Sequence, residues 1–452
     1  MSSDDLHPAP TAPPAAPTAE SEVTRLCQEL IRIDSSNYGD GSGPGEAQAA
    51  AYVVQSLREV GLDAQTYESD PGRVSVVVRI PGADRSRGAL CIHGHLDVVP
   101  AHAQDWQHDP FGGELIDGLI WGRGAVDMKG MDAMILAVIR ELARTGTIPP
   151  RDLVVVFFAD EEAGGRQGSH FMVEQHPEVF AGVTEAISEV GGYSVTVPAK
   201  EGGERRAYLL QSAEKGIAWL RLTARGRAGH GSVPNDENAV VRLAQALTRI
   251  AAHEWPREII PSVRMLLDGL SEVTGTPYTD HDLDALLDHL GGAKGFVLGT
   301  LRDTSNPTML EAGYKHNVIP QQAHASVDCR FLPGHQEVLL KTIDDLVGDD
   351  VDVEVLVGDI SLDAPFDGPL VEAMVAAISA EDPGAVVLPY CLSGGTDNKA
   401  LSLLGVTGYG FAPLQLPADL DFAPMFHGID ERVPVSALTF GVRVLRRFIA
   451  AC

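Results

Sequence analysis

Residues 91–100 read CIHGHLDVVP. The stretch follows the turn-like DRSRG and begins as a strand, apolar through Ala89, Leu90, Cys91 and Ile92. It then presents His93, His95 and Asp97 within five residues. A buried strand that surfaces with two imidazoles and a carboxylate has placed chemistry where a sheet meets solvent. Elements with the same habit recur along the chain, and together they set the expected fold.

Upstream, 22–33 and 46–61 carry apolar residues at helical spacing, and VSVVVRI (74–80) reads as a strand. Downstream, the Gly-rich DGLIWGRGAVDMKG (117–130) leads into a helix over 131–146. The strand DLVVVFFA (152–159), the acidic turn DEEAGG (160–165) and a short strand near 184–188 follow. Strands alternating with helices predict an α/β sheet with parallel elements. Near Gln211 the pattern changes. Segments 215–226, 324–332 and 351–357 alternate like half-buried strands, and 238–255 and 335–348 like amphipathic helices, as in a small α+β sandwich inserted into the first unit. From about 366 the α/β character returns, ending in a helix over 436–450. The expected organisation is a mobile Pro/Ala/Thr tail (1–20), a catalytic domain in two parts (21–211 and 358–452) and an insert (212–357).

Composition excludes several classes. No run of about 18 apolar residues offers a membrane span. The net charge of −29, with no basic stripe, would repel a nucleic-acid backbone. Cys27, Cys91, Cys329, Cys391 and Cys452 are scattered and odd in number, which argues against a disulfide framework and for a reducing cytoplasm.

In open α/β sheets ligands bind beyond the carboxyl ends of the strands. Four turns bearing acids or histidine fall at such ends: His95/Asp97, Asp127, Asp160-Glu161-Glu162 and Glu189. His427 in FHGIDERVPV is a fifth candidate. Singly, each has an ordinary explanation, as a helix cap, a solvated turn or a packed histidine. Jointly, two imidazoles with three carboxylates suit a pair of borderline divalent metals sharing one bridging carboxylate. His93, two residues before His95, is expected to be a packed neighbour rather than a ligand.

HGHLDVVP, GRGAVDMKG, FFADEEAGG, SEVGG and HGIDERVPV, in that order, resemble the signature set of the M20 family of zinc peptidases and aminoacylases. The resemblance implies an α/β/α catalytic domain with a mixed sheet and an inserted two-layer α+β lid and dimerisation domain. It implies two Zn2+ ions, with Co2+ or Mn2+ as substitutes. His95 and Glu189 would hold one metal and Glu162 and His427 the other, with Asp127 bridging. Asp97 would orient His95, and Glu161 would be the general base. In the insert, AGHGSVPNDENAV gives His230, which would reach a substrate oxyanion across a homodimer. Asn317 of HNVIP, Arg330 of VDCRFLPG, and Gly395 and Thr396 of SGGTD would hold the substrate. That last loop continues Asp397-Asn398-Lys399, where many relatives carry a small residue and then Arg.

The implied reaction is hydrolysis of an amide beside a free carboxylate, in a dipeptide or at a peptide's C-terminus. The alternative is deacylation of an N-acyl amino acid by the same groups. An inactive peptide-binding relative would have lost the base or a ligand, yet all are present.

Overall fold

The computed structural model describes residues 16–452. Of the expected tail, 1–15 lie outside the described residues, and Ala19 already begins the first helix, capped by the Thr18 hydroxyl accepting from the Ser21 amide.

A mixed sheet organises most of the chain. Its strands run, edge to edge, Gln65–Asp70, Arg73–Ile80, Leu153–Phe158, Ala89–His95, Val183–Ser188, Thr407–Gly410, Glu204–Glu214 and Leu362–Asp363, with Val386–Leu392 and Tyr193–Pro198 also paired to Glu204–Glu214. Ala89–His95 lies parallel to both of its neighbours, and Thr407–Gly410 parallel to Val183–Ser188. These strands therefore end together at one edge of the sheet. Their side chains explain the layers around them. Leu90, Ile92, Leu153, Val155 and Phe157 face a core packed by the helices Ala19–Ile31, Lys129–Thr145 and Val435–Ala451. Cys91, Val154, Val156 and Phe158 face the other way, toward Met172 of Ser169–Gln175 and Leu401 of Asn398–Ser402. Strands covered on both faces are apolar at every position, as Leu153–Phe158 is.

The insert has its own antiparallel sheet in the order Thr304–Ala312, Gln322–Phe331, Gly216–Arg225 and Val351–Asp359. Ala218, Leu220, Leu222 and Ala224 point to a separate core beneath the helices Ala239–Ala252 and Gln336–Val347. Trp219 and Arg221 point away from it. The bounds 212–357 enclose one stretch that packs elsewhere: Val263, Leu266, Leu267 and Leu270 of the helix Pro261–Thr274 belong to the large core, against Val386–Leu392. Among the described residues no helix is long and apolar enough to cross a membrane.

Candidate metal centre

Three of the strands that end at the shared edge each deliver a functional turn. Ala89–His95 ends on the His95 ring. Leu153–Phe158 runs into Asp160, at φ 66°, and then Glu161 and Glu162. Val183–Ser188 ends at Glu189, followed by Val190 at φ 53°. Left-handed residues are uncommon outside glycine, and here they turn the chain sharply where the side chains must converge.

The convergence forms two sets of three ligand groups, His95–Asp127–Glu189 and Asp127–Glu162–His427, the donor atoms of each within 4.8 Å of one another. His95 Nε2 lies 3.1 Å from Asp127 Oδ1 and 3.3 Å from Glu189 Oε2. On the other side, His427 Nε2 lies 3.3 Å from Asp127 Oδ2 and 2.9 Å from Glu162 Oε2. Asp127 thus turns one oxygen to each set. Glu161 Oε2 is 3.9 Å from His95 Nε2, beside the first set but engaged by neither.

Negative charge dominates, and the ionisation of the groups reflects it. Hydrogen bonds to Asp127 and Glu162 push the His427 imidazole up to about 10. For His95, burial pulls down, but Glu189 and Asp127 outweigh it and hold the ring well above its usual range. Burial and the Glu189 charge raise Glu161 well above the usual carboxylate range. Nitrogen and carboxylate donors in two clusters sharing one carboxylate, the first buried and the second open to solvent at His427, suit paired divalent ions of borderline softness.

Two residues hold the ligand turns in place. Asp97 offers His95 Nδ1 two acceptors, its main-chain oxygen at 2.9 Å and Oδ1 at 3.5 Å. Its carboxylate is spent mainly elsewhere, accepting from the amides of Glu161 (3.1 Å) and Glu162 (3.0 Å) and from Asn37. Asp97 therefore ties the His95 strand end to the turn carrying the two glutamates. Glu431, which the sequence reading did not single out, is fully buried. It accepts from the amides of Gly124, Val126 and Asp127 and from Arg123. It fixes the loop that presents Asp127. Its only sequence signal is its place four residues after His427. His93 stays outside the cluster, with Nε2 2.9 Å from Asn398 Oδ1.

A cavity of about 440 Å3 opens over the cluster. Asp127, Glu161, Glu162, Glu189 and His427 line it on one side, and Arg330, Gly395, Thr396 and Lys399 line it as well. Thr396 spends both donors on Glu214, its amide at 3.0 Å and its hydroxyl at 2.7 Å. Arg330 is held by Asp328. His230 and Asn317 are elsewhere. They sit together on an exposed ribbon of the insert, joined by the Gly231 amide donating to the Asn317 carbonyl, and neither lines the cavity.

The profile of peptidase family M20/M25/M40 matches residues 91–451. The chain belongs to that family. Over 446 residues it is 28% identical to human aminoacylase-1, covering 96% of each chain. It is also 28% identical over 372 residues to a probable carboxypeptidase S-like 2 of Dictyostelium discoideum, covering 80% of this chain and 71% of that one. Among solved structures it superposes on the M20 family metallo-carboxypeptidase Sso-CP2 of Sulfolobus solfataricus with a TM-score of 0.72 at 17% identity, covering 95% and 99% of the two chains. The fold expected from the motifs is the fold found, and M20 membership makes the protein an amide-bond hydrolase.

Proposed function

We propose that this M20 enzyme hydrolyses an amide whose amino-acid portion carries a free carboxylate, using two divalent metal ions and Glu161 as general base. The observation that carries the reading is the pair of ligand sets sharing Asp127, with an uncommitted carboxylate, Glu161, beside them. His95 and Glu189 would hold one ion, Glu162 and His427 the other, and Asp127 both. Zinc suits these donors, and Co2+ or Mn2+ fit the same chemistry. Ions bound there supply Lewis acidity toward water and toward the amide carbonyl. Glu161 accepts the proton of the attacking water and returns it to the departing nitrogen, a task open to a carboxylate that stands beside the ligand sets without belonging to either. Asp97 keeps Glu161 and Glu162 in register, because one carboxylate holds both of their amides.

Alignment with aminoacylase-1 over nearly the whole of both chains favours an N-acyl amino acid as substrate. The dipeptide or carboxypeptidase reading draws on the carboxypeptidase S-like relative. The cavity's apolar lining of Ile217, Trp219, Phe296 and Phe426 can receive an apolar side chain or acyl group in either case. His230 would serve a second copy of the chain, since it is exposed and away from its own cavity. The insert's edge strand Thr304–Ala312, with Met309 and Leu310 exposed, offers that copy an unpaired strand edge. All five cysteines are unpaired and buried, in keeping with a reducing cytoplasm.

The test is turnover of a mixed panel of N-acyl amino acids and dipeptides by zinc-loaded and chelator-treated enzyme. Metal-dependent release of the free amino acid is expected. Absence of turnover across the panel by fully loaded enzyme would refute the assignment.

A further inference from the structure

Asn37 is buried and does not line the cavity, yet its side-chain amide is fully engaged behind the ligand turns. Its Nδ2 donates to Asp97 Oδ2 at 2.9 Å and to Asp160 Oδ1 at 3.1 Å. Its Oδ1 accepts from Arg73 Nη2 and from the Gly39 amide, both at 3.0 Å. Donors on one side and carboxylates on the other fix which way the amide faces. Arg73 is buried too, paired with Glu46 and 4.0 Å from Asp160. A guanidinium on Oδ1 polarises the two N–H donors toward the carboxylates, because hydrogen bonds in a chain strengthen one another. Asp160, in its left-handed conformation, comes immediately before Glu161 and Glu162, and the Gln167 amide holds its other oxygen at 2.8 Å.

We propose that Asn37 is a positioning residue: by clasping Asp97 to Asp160 it sets where the turn 160–162 carries Glu161 and Glu162. This rests on the reading of that turn as the source of the base and of one metal ligand. Asp97 receives the amides of Glu161 and Glu162, and Asp160 is the residue before them, so the clasp closes the turn on both sides. The other ligands are held independently of it. His95 ends a central strand and meets the Asp97 carbonyl, and Glu431 fixes the Asp127 loop. Losing the clasp therefore displaces Glu161 and the Glu162 side of the centre and spares the His95 side.

The experiment compares full-length wild type with Asn37→Leu, which keeps the size of the side chain and removes both donors. Zinc binding is followed by competition with a chelating dye, and turnover of N-acetyl-leucine is measured at saturating zinc. In Asn37→Leu the affinity for one ion should fall about 10- to 100-fold, while that for the other changes less than about 3-fold. kcat should fall about 100-fold, with KM within about 3-fold of wild type. Affinities that fall together or not at all, an unchanged kcat, or a loss carried by KM alone overturns the proposal and leaves the hydrolase reading intact. Should the leucine variant not fold, Asn37→Ser, too short to reach both carboxylates, must show the same pattern. If wild type hydrolyses nothing, the hydrolase reading fails and the zinc titration alone decides on Asn37. Selective loss of one ion then supports the clasp, and any other result overturns it.

Discussion

The turns at the sheet edge and the ribbon carrying His230 bear comparably specific motifs, yet the fold finishes one and leaves the other open. At the sheet edge three of the ligands are supported from behind: Asp97 ties the His95 strand end to the turn carrying Glu162, and Glu431 collects three amides of the Asp127 loop. On the ribbon, His230 is exposed, and its Nδ1 meets only Ser232, at 2.8 Å. A metal centre must be rigid in advance, because its ligands have to be in place before an ion can be gripped. A residue that serves another subunit needs only to be presented.

The contrast predicts where substitutions bite. Glu161→Gln should reduce kcat by about 10³-fold or more while metal content, measured by atomic emission, stays at wild-type stoichiometry. Full turnover in that variant would remove Glu161 as the base. His230→Ala should cost about 10²-fold in kcat, again with metal retained. Mixing the two variants under subunit exchange should restore about a quarter of wild-type activity. Half of a random mixture is mixed dimers, and each of those has one intact centre. No recovery despite proven exchange would mean that the ribbon serves its own subunit or none.

The sheet edge was legible in sequence because its chemistry is written locally. His95, Asp127, Glu161-Glu162 and Glu189 each follow a strand or open a helix, and the apolar runs before them announce those elements. Glu431 was not legible, since its partners lie some 300 positions upstream and only folding brings them together. The strand Thr304–Ala312 escaped for a different reason. As an exposed edge containing Pro307, it lacks the apolar alternation that marks a half-buried strand, and backbone pairing to Gln322–Phe331 defines it. The helix Pro261–Thr274 has a clear apolar face, yet periodicity cannot say which of two cores that face joins.

A smaller effect tests the support behind Asp127. Glu431→Gln keeps the shape but weakens an anionic acceptor of several amides and of Arg123. Metal affinity, measured by competition with a chelating dye, should fall about 10- to 100-fold, with kcat at saturating metal close to wild type. Unchanged affinity would show that the Asp127 loop holds itself.

The smallest effect concerns the joint between the two regions, where Lys215 is fully buried between the strands Glu204–Glu214 and Gly216–Arg225. Its Nζ donates to the carbonyls of Gly299 and Arg302, with no carboxylate at ion-pair distance. Burial lowers its pKa from 10.5 to about 8. Between those values the folded state binds fewer protons than the unfolded chain, so this group's contribution to stability rises with pH across the window and is lost as pH falls back to 8. Buried tyrosines and cysteines, whose pKa values burial raises, act in the opposite sense at high pH. The useful quantity is therefore the difference between wild type and Lys215→Met. By urea denaturation that difference should move in favour of wild type by roughly 2 kcal/mol between pH 7 and about pH 9.5. A difference independent of pH would mean that the ammonium is well solvated, and that the joint between sheet and insert is wetter and looser than its hydrogen bonds imply.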